Sequence, residues 1–214
     1  MMCLCCGFRP QGSAAVRGFD PTGVAGFGEK GWAIPVSLIR CWAAGYRKHD
    51  IHRSKRIAMI KIVQFVALLL TALSMGVHFG TWLTEGPLRR TQSGALFIEV
   101  HQGRDRVVAR VMPILGSAAL IFLALGVFLV RAVPAAFALS LAALVLCIGD
   151  MLVTVLVNVP INGKVQSWQP DAPPAEWTLL RDRWEKFHSI RALLVVLGFT
   201  LFAASVVFFK ITAV

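Results

Sequence analysis

The chain has 214 residues, 57% hydrophobic and only 15% charged, with a formal net charge of +11 and a mean hydropathy of +0.68. So apolar a composition excludes an ordinary soluble domain of this length and points to a polytopic membrane protein. The positive charge does not point to nucleic acid, because nine of the 22 Lys/Arg fall in residues 1–58 and most of the others flank apolar runs, where such charges set topology.

Residues 1–58 are rich in Gly, Ala and Arg, lack a sustained apolar run, and read as a basic N-terminal arm. The first thirty residues contain no apolar stretch followed by a small-residue cleavage site, so no secretory signal is expected. Among the cysteines Cys3, Cys5, Cys6, Cys41 and Cys147, Cys3 and Cys6 form a CxxC with no second pair at zinc-like spacing. Incidental thiols in a tail are the plain reading, reversible acylation the other. No disulfide framework is implied.

Four apolar spans follow, at about 59–83, 111–130, 134–157 and 191–214. Each is near the length of about twenty residues that crosses a hydrocarbon core of about 30 Å. Residues 131–134 (RAVP), the last of which opens the third span, leave almost no loop between the second and third spans, which predicts a tight antiparallel hairpin. About 27 residues separate spans one and two and about 33 separate three and four; an even number of crossings puts both long loops on one side. The basic cluster Arg40, Arg47, Lys48, Arg53, Lys55 and Arg56 favours a cytoplasmic N-terminus. A start at Met59 would remove that cluster and reverse the orientation. The expected location is the plasma membrane, the inner membrane of a bacterium.

In the second long loop Pro160 is expected to close span three, since it cannot donate a backbone hydrogen bond. Pro173 and Pro174 then read as the first turn of a helix at about 174–190, continuous with the fourth span. The whole would run for about forty residues, or about 60 Å. The predicted fold is all-α: a membrane four-helix bundle with two long loops on the same side and an extended fourth helix.

Polar groups in hydrocarbon need a partner or a purpose. His78, near the end of span one, reads either as an interfacial histidine bonded to a carbonyl or as a base or ligand facing the interior. Asp150, several residues inside span three, would cost roughly 2.5–3.5 kcal/mol on insertion scales, so it should be paired or protonated. Asn158 and Asn162 bracket Pro160, either as caps of a broken helix or as partners for a ligand's carbonyl or hydroxyl. Glu99 and His101 would share a side on an extended segment but not on a helix. Trp177, Arg181, Trp184, His188 and Arg191 recur at steps of four, three, four and three, on one helical stripe. Interfacial anchoring explains Trp184 and Arg191 but not His188. His78, Asn158, Asn162, His188 and Arg191 should meet at one membrane surface, with Asp150 about 12 Å deeper on its own helix. Bundles commonly build sites between facing helices; here the polar residues gather at one end.

The block NVPIN (158–162), the following Trp168 and the helix RDRWEKFHSIRALL (181–194) resemble the small integral-membrane anthrone oxygenase-like family, many of whose members are uncharacterised. The likeness extends over about 59–214 and is sharpest in 158–195, with Asn158, Pro160, Asn162, Arg183, Trp184, His188 and Arg191 at the pattern's polar and aromatic positions. The resemblance implies a four-helix membrane fold and a cofactor-free, metal-free oxidation of an anthrone to an anthraquinone by molecular oxygen. On that expectation His188 is the base and His78 the second candidate, while Arg191 stabilises the anionic oxygen. Trp184 would stack on the flat substrate and Asn158 or Asn162 would orient a carbonyl. Asp150, Glu99 and His101 complete the expected substrate-binding set. The expected partners are the lipid bilayer and a small aromatic substrate, with no nucleic acid.

Two other classes share this topology. A non-enzymatic membrane subunit or hydrophobic-ligand carrier would need no base. A haem or metal protein could use His78, His101 and His188 as ligands, although no HxxxH-type spacing occurs among them. The sequence has no Gly-rich phosphate loop, GxSxG or paired-carboxylate constellation.

Overall fold

The computed structural model describes residues 36–209, with side chains from residue 51 onward. The cysteines Cys3, Cys5 and Cys6, the side chain of Cys41, most of the basic arm and the last residues of the fourth span lie outside the described residues. The chain divides into two compact units, Met1–His52 and Arg53–Val214. In the first, the described residues 36–52 are helical; the second holds the bundle.

Helix α1 (Val36–Gly80) begins within the segment read as an arm and carries the first span. A π-helical turn (Thr81–Glu85) leads into α2 (Gly86–Thr91), and α3 spans Gly94–Leu129. Helix α4 (Pro134–Val153) passes through a second π-helical turn (Thr154–Asn158) into α5 (Val159–Gln166), and α6 spans Trp177–Phe208. Among the described residues there is no strand. Ile51–Thr91, Gly94–Leu129, Pro134–Gln166 and Trp177–Phe208 are each long and apolar enough to cross a membrane. The protein is thus an all-α, four-helix integral membrane protein.

The hairpin between α3 and α4 is tight. Val133 N donates to Val130 O at 2.9 Å, and Pro134 opens α4, where its missing N–H leaves no bond unmade. Large apolar side chains such as Phe65, Ile114, Leu156 and Leu193 face outward, while small residues fill the helix contacts, as in lipid-embedded bundles. Ala143, Ser140 and Ser205 are fully enclosed. Ser140 Oγ and Ser205 Oγ share a 2.7 Å hydrogen bond between α4 and α6. A Cβ at Gly198 would lie 3.0 Å from Cys147 Sγ and 3.3 Å from Ala143 O, so any larger residue would have to push α4 back by a few tenths of an ångström.

The long connections differ from the sequence reading. Pro160 does not end the third span, because the π-helical turn before it shifts the hydrogen-bond register and the helix continues to Gln166. Most of the first connection is also helical, from the π turn through α2, with α3 starting at Gly94, well before its apolar stretch. The fourth helix starts at Trp177, since Pro173 and Pro174 lie in the preceding turn and Pro174 O accepts from Trp177 N at 3.0 Å. Its 32 residues give about 48 Å of helix at 1.5 Å per residue. Pro173 packs against Gly94, where a Cβ would come within 2.9 Å of its ring, and this fastens the connection to the start of α3. Phe97, Ile98, Ile161, Val165, Leu180 and Trp184 form the apolar core at this end.

Candidate functional site

The first group of polar side chains joins α1, α4 and α6. His78, on the last turn of α1, has Nδ1 2.8 Å from Ser74 O. A carbonyl can only accept, so Nδ1 carries the proton and Nε2 presents a lone pair. Arg191 Nη2 donates to that Nε2 at 2.6 Å, and Arg191 Nε donates to Asp150 Oδ1 at 2.9 Å. The guanidinium is therefore held between an imidazole and a carboxylate. Asp150 meets the expectation of a paired residue: its charge is compensated by Arg191, where it would otherwise stand alone in hydrocarbon.

The second group begins one turn earlier on α6. His188 is only 4% exposed, and neither of its ring nitrogens has a hydrogen-bond partner. Its ring lies nearly parallel to those of Trp184 (centroids 4.7 Å apart) and His78 (6.1 Å), with 20° between planes in both cases. The helical stripe produces this column directly, because residues 184, 188 and 191 share one face of α6.

Asn158 and Asn162 hold Trp184 in place. Asn162 Nδ2 donates to Asp105 Oδ1 at 2.6 Å, which fixes the amide's orientation and turns Oδ1 toward the aromatic rings. That oxygen accepts from Trp184 Nε1 at 2.7 Å and lies 3.0 Å from His101 Nε2. His101 Nε2 is then the donor, and its Nδ1 is a buried lone pair without a partner. His101 meets Trp184 edge-on, with centroids 5.3 Å apart. Asn158 makes no capping bond; its Nδ2 donates to Trp184 O at 3.3 Å.

Four charged residues that the sequence reading did not single out for the site stand over this group. Arg89 donates through Nε to Glu185 and through Nη1 to Glu85 Oε2, the latter at 2.6 Å. Arg104 donates to the same Glu85 oxygen. The guanidinium carbons of Arg89 and Arg104 each lie 4.8 Å from the centre of the Trp184 ring. Arg89 and Arg104 had read as topology-setting charges. The available signal was Glu185, an acid directly after Trp184 on the helix that carries the stripe. Glu99 stays apart: α3 is helical there, so Glu99 faces away from His101 and is exposed.

Six buried side-chain nitrogen or oxygen atoms among the described residues lack a partner: Arg89 Nη2, Gln92 Oε1, His101 Nδ1, Asn158 Oδ1 and both nitrogens of His188. All but the Gln92 oxygen belong to residues that contact Trp184. Buried polar atoms are nearly always paired, so this concentration singles out one location. The three histidines do not converge on a point, since His78 and His188 meet face to face and His101 bonds Asn162. Among the described residues no group of three or more His, Cys, Asp or Glu could hold a metal ion.

The anthrone oxygenase family matches residues 104–201. The chain thus resembles that family over somewhat less than half its length. The anthrone oxygenase-like region contributes Arg104, Asp105, Asp150, Asn158, Asn162, Trp184, Glu185, His188 and Arg191 to the site. His78, Glu85, Arg89 and His101 precede it. No curated protein and no solved structure matches the chain.

Proposed function

We propose that the protein is a membrane-embedded oxygenase that needs no cofactor and oxidises an anthrone-type aromatic with molecular oxygen. One observation carries this reading: His188 is a buried imidazole with both nitrogens free, set in a column of parallel rings beside a fixed guanidinium. A general base needs a lone pair within reach of the substrate's proton. His78 is the poorer candidate because both of its nitrogens are engaged.

His188 removes a proton from the doubly benzylic CH2, leaving an electron pair delocalised into the aromatic oxygen. That pair forms a C–O bond with molecular oxygen, and protonation gives a hydroperoxide. Loss of the remaining C–H proton with cleavage of the O–O bond expels hydroxide, which leaves as water. The balance is one CH2 and one O2 in, one C=O and one H2O out. Only two N–H groups of Arg191 are engaged, so others can face the anionic oxygen. Trp184 is buried under His188, Arg89 and Arg104, so the substrate's flat rings displace the two guanidinium groups to stack on it. The substrate enters from the bilayer past Trp82, whose indole N–H donates to Ser189 Oγ at 3.1 Å, next to His188. The basic cluster before the first span supports a cytoplasmic N-terminus in the plasma membrane, with the site toward the opposite face.

The test is His188→Ala, purified in detergent and given anthrone, with quinone absorbance and oxygen uptake recorded together. Undiminished turnover removes His188 from the role. The dense ion pairing of Arg89, Arg104, Glu85 and Glu185 favours a second reading, a non-enzymatic carrier or membrane subunit. Anthrone binding without oxygen uptake in the unmodified protein decides for it.

A further inference from the structure

We infer that the small cavity one turn below the Asp150–Arg191 pair is where molecular oxygen is held. The inference rests on the oxygenase reading and gives its co-substrate a location. The cavity measures about 30 Å³ and is bordered by Ser74, Cys147, Asp150 and Val195. Ser74 lies one helical turn before His78, Cys147 nearly one turn before Asp150, and Val195 one turn after Arg191. The cavity therefore opens directly beneath the three groups that brace the site.

Its size admits a water or a diatomic gas and excludes any aromatic substrate. Gly116, Ala119, Leu120, Leu123 and Met151 give it a mainly apolar wall. A buried water requires two to four polar partners. Of its polar lining, the Thr71 hydroxyl already donates to Ala67 O at 2.7 Å and Asp150 Oδ1 accepts from Arg191, which leaves the Ser74 hydroxyl and the second Asp150 oxygen uncommitted. Molecular oxygen makes no hydrogen-bond demand and dissolves readily in hydrocarbon, which surrounds this part of the bundle. A chamber that accepts oxygen and excludes the organic substrate also keeps the two reactants from competing for one place.

The experiment uses the full-length protein in detergent, with xenon as the probe. Xenon-129 NMR or a xenon-pressurised crystal should show one occupied site between Leu123, Met151 and Val195. In Gly116→Ala the new Cβ would sit 3.2 Å from Met151 Cε, at the cavity wall. That variant should bind xenon more weakly and raise KM for oxygen at least threefold, leaving KM for anthrone unchanged. Thr71→Val, which removes a polar group at nearly constant volume, should keep both xenon binding and KM for oxygen. An ordered water with no xenon overturns the inference, as does an unchanged KM for oxygen in a Gly116→Ala variant that has lost xenon. Turnover by the unsubstituted protein with a xenon-free cavity refutes the inference alone. Xenon uptake without oxygen consumption on anthrone refutes the oxygenase reading and the inference with it.

Discussion

Replacing Asp150 by leucine tests the brace under the site most directly. The Asp150 and Arg191 side chains are 12% and 11% exposed, and Nε and Oδ1 lie 2.9 Å apart. At an effective dielectric constant of about 20, Coulomb attraction at that distance is about 6 kcal/mol. Desolvating the two ions offsets most of it, so the net value of the intact pair is small. The single variant is another matter, because Arg191 stays buried with only the His78 lone pair to face it. Breaking one side of a buried pair costs about 3–5 kcal/mol, and an unpaired arginine within a membrane helix costs roughly 2.5–3.5 kcal/mol on insertion scales. The two routes agree on a loss of about 3 kcal/mol. Adding Arg191→Met should restore most of it, since an apolar pair of similar volume is often neutral. The assay is SDS-induced unfolding in mixed micelles, followed by far-UV circular dichroism across the full double-mutant cycle. A single variant as stable as the parent, or a double variant no better than the single, would refute the reasoning.

Asn162→Ala removes the shared acceptor of Trp184 Nε1 and His101 Nε2; a loss of about 1–3 kcal/mol is expected, with an altered near-UV spectrum from Trp184, and an unchanged spectrum would count against the contact. Arg89→Ala strands Glu185, 5% exposed, and should cost about 3–5 kcal/mol, most of which returns in Arg89→Ala/Glu185→Ala when melting is measured for both. Trp82→Phe breaks only the bond to Ser189, so stability should fall by less than about 1.5 kcal/mol while KM for anthrone falls as entry eases. A drop in turnover as deep as that of His188→Ala would show that Trp82 is no gate.

The four spans and their hairpin were legible because hydrocarbon imposes one rule, a run of apolar residues long enough to cross it, and Pro134 marks the turn. The same rule made His78, Asp150, His188 and Arg191 conspicuous: polar groups in such runs are costly, so each needed an explanation. The charged residues over Trp184 were hidden for the converse reason. Outside an apolar run a charge looks solvated, and Arg89 and Glu185 are 96 positions apart. They meet only because α2 and the start of α6 extend the bundle beyond its apolar spans. Glu99 and His101 share a side on an extended backbone and part on a helix, a choice their own residues leave open, and the helical start of α3 separates them.

Pro160 shows how a correct local argument can miss its consequence. A proline does break the ladder of i to i+4 bonds, but a helix can absorb the fault upstream by adding a residue to one turn. Val159 N donates to Thr154 O, five residues back, and this is that added residue. In an unbroken α-helix the eight positions from Asp150 to Asn158 turn through about 800°, so the two side chains would diverge by about 80°. One extra residue in the turn takes back about 100° and leaves them about 20° apart. Asn162, one α-turn further on, then falls on the same face. The proline and the bulge before it thus bring Asp150 to Arg191 while Asn158 and Asn162 reach Trp184. Without that phase change, one helix could not brace both the charged pair and the aromatic column.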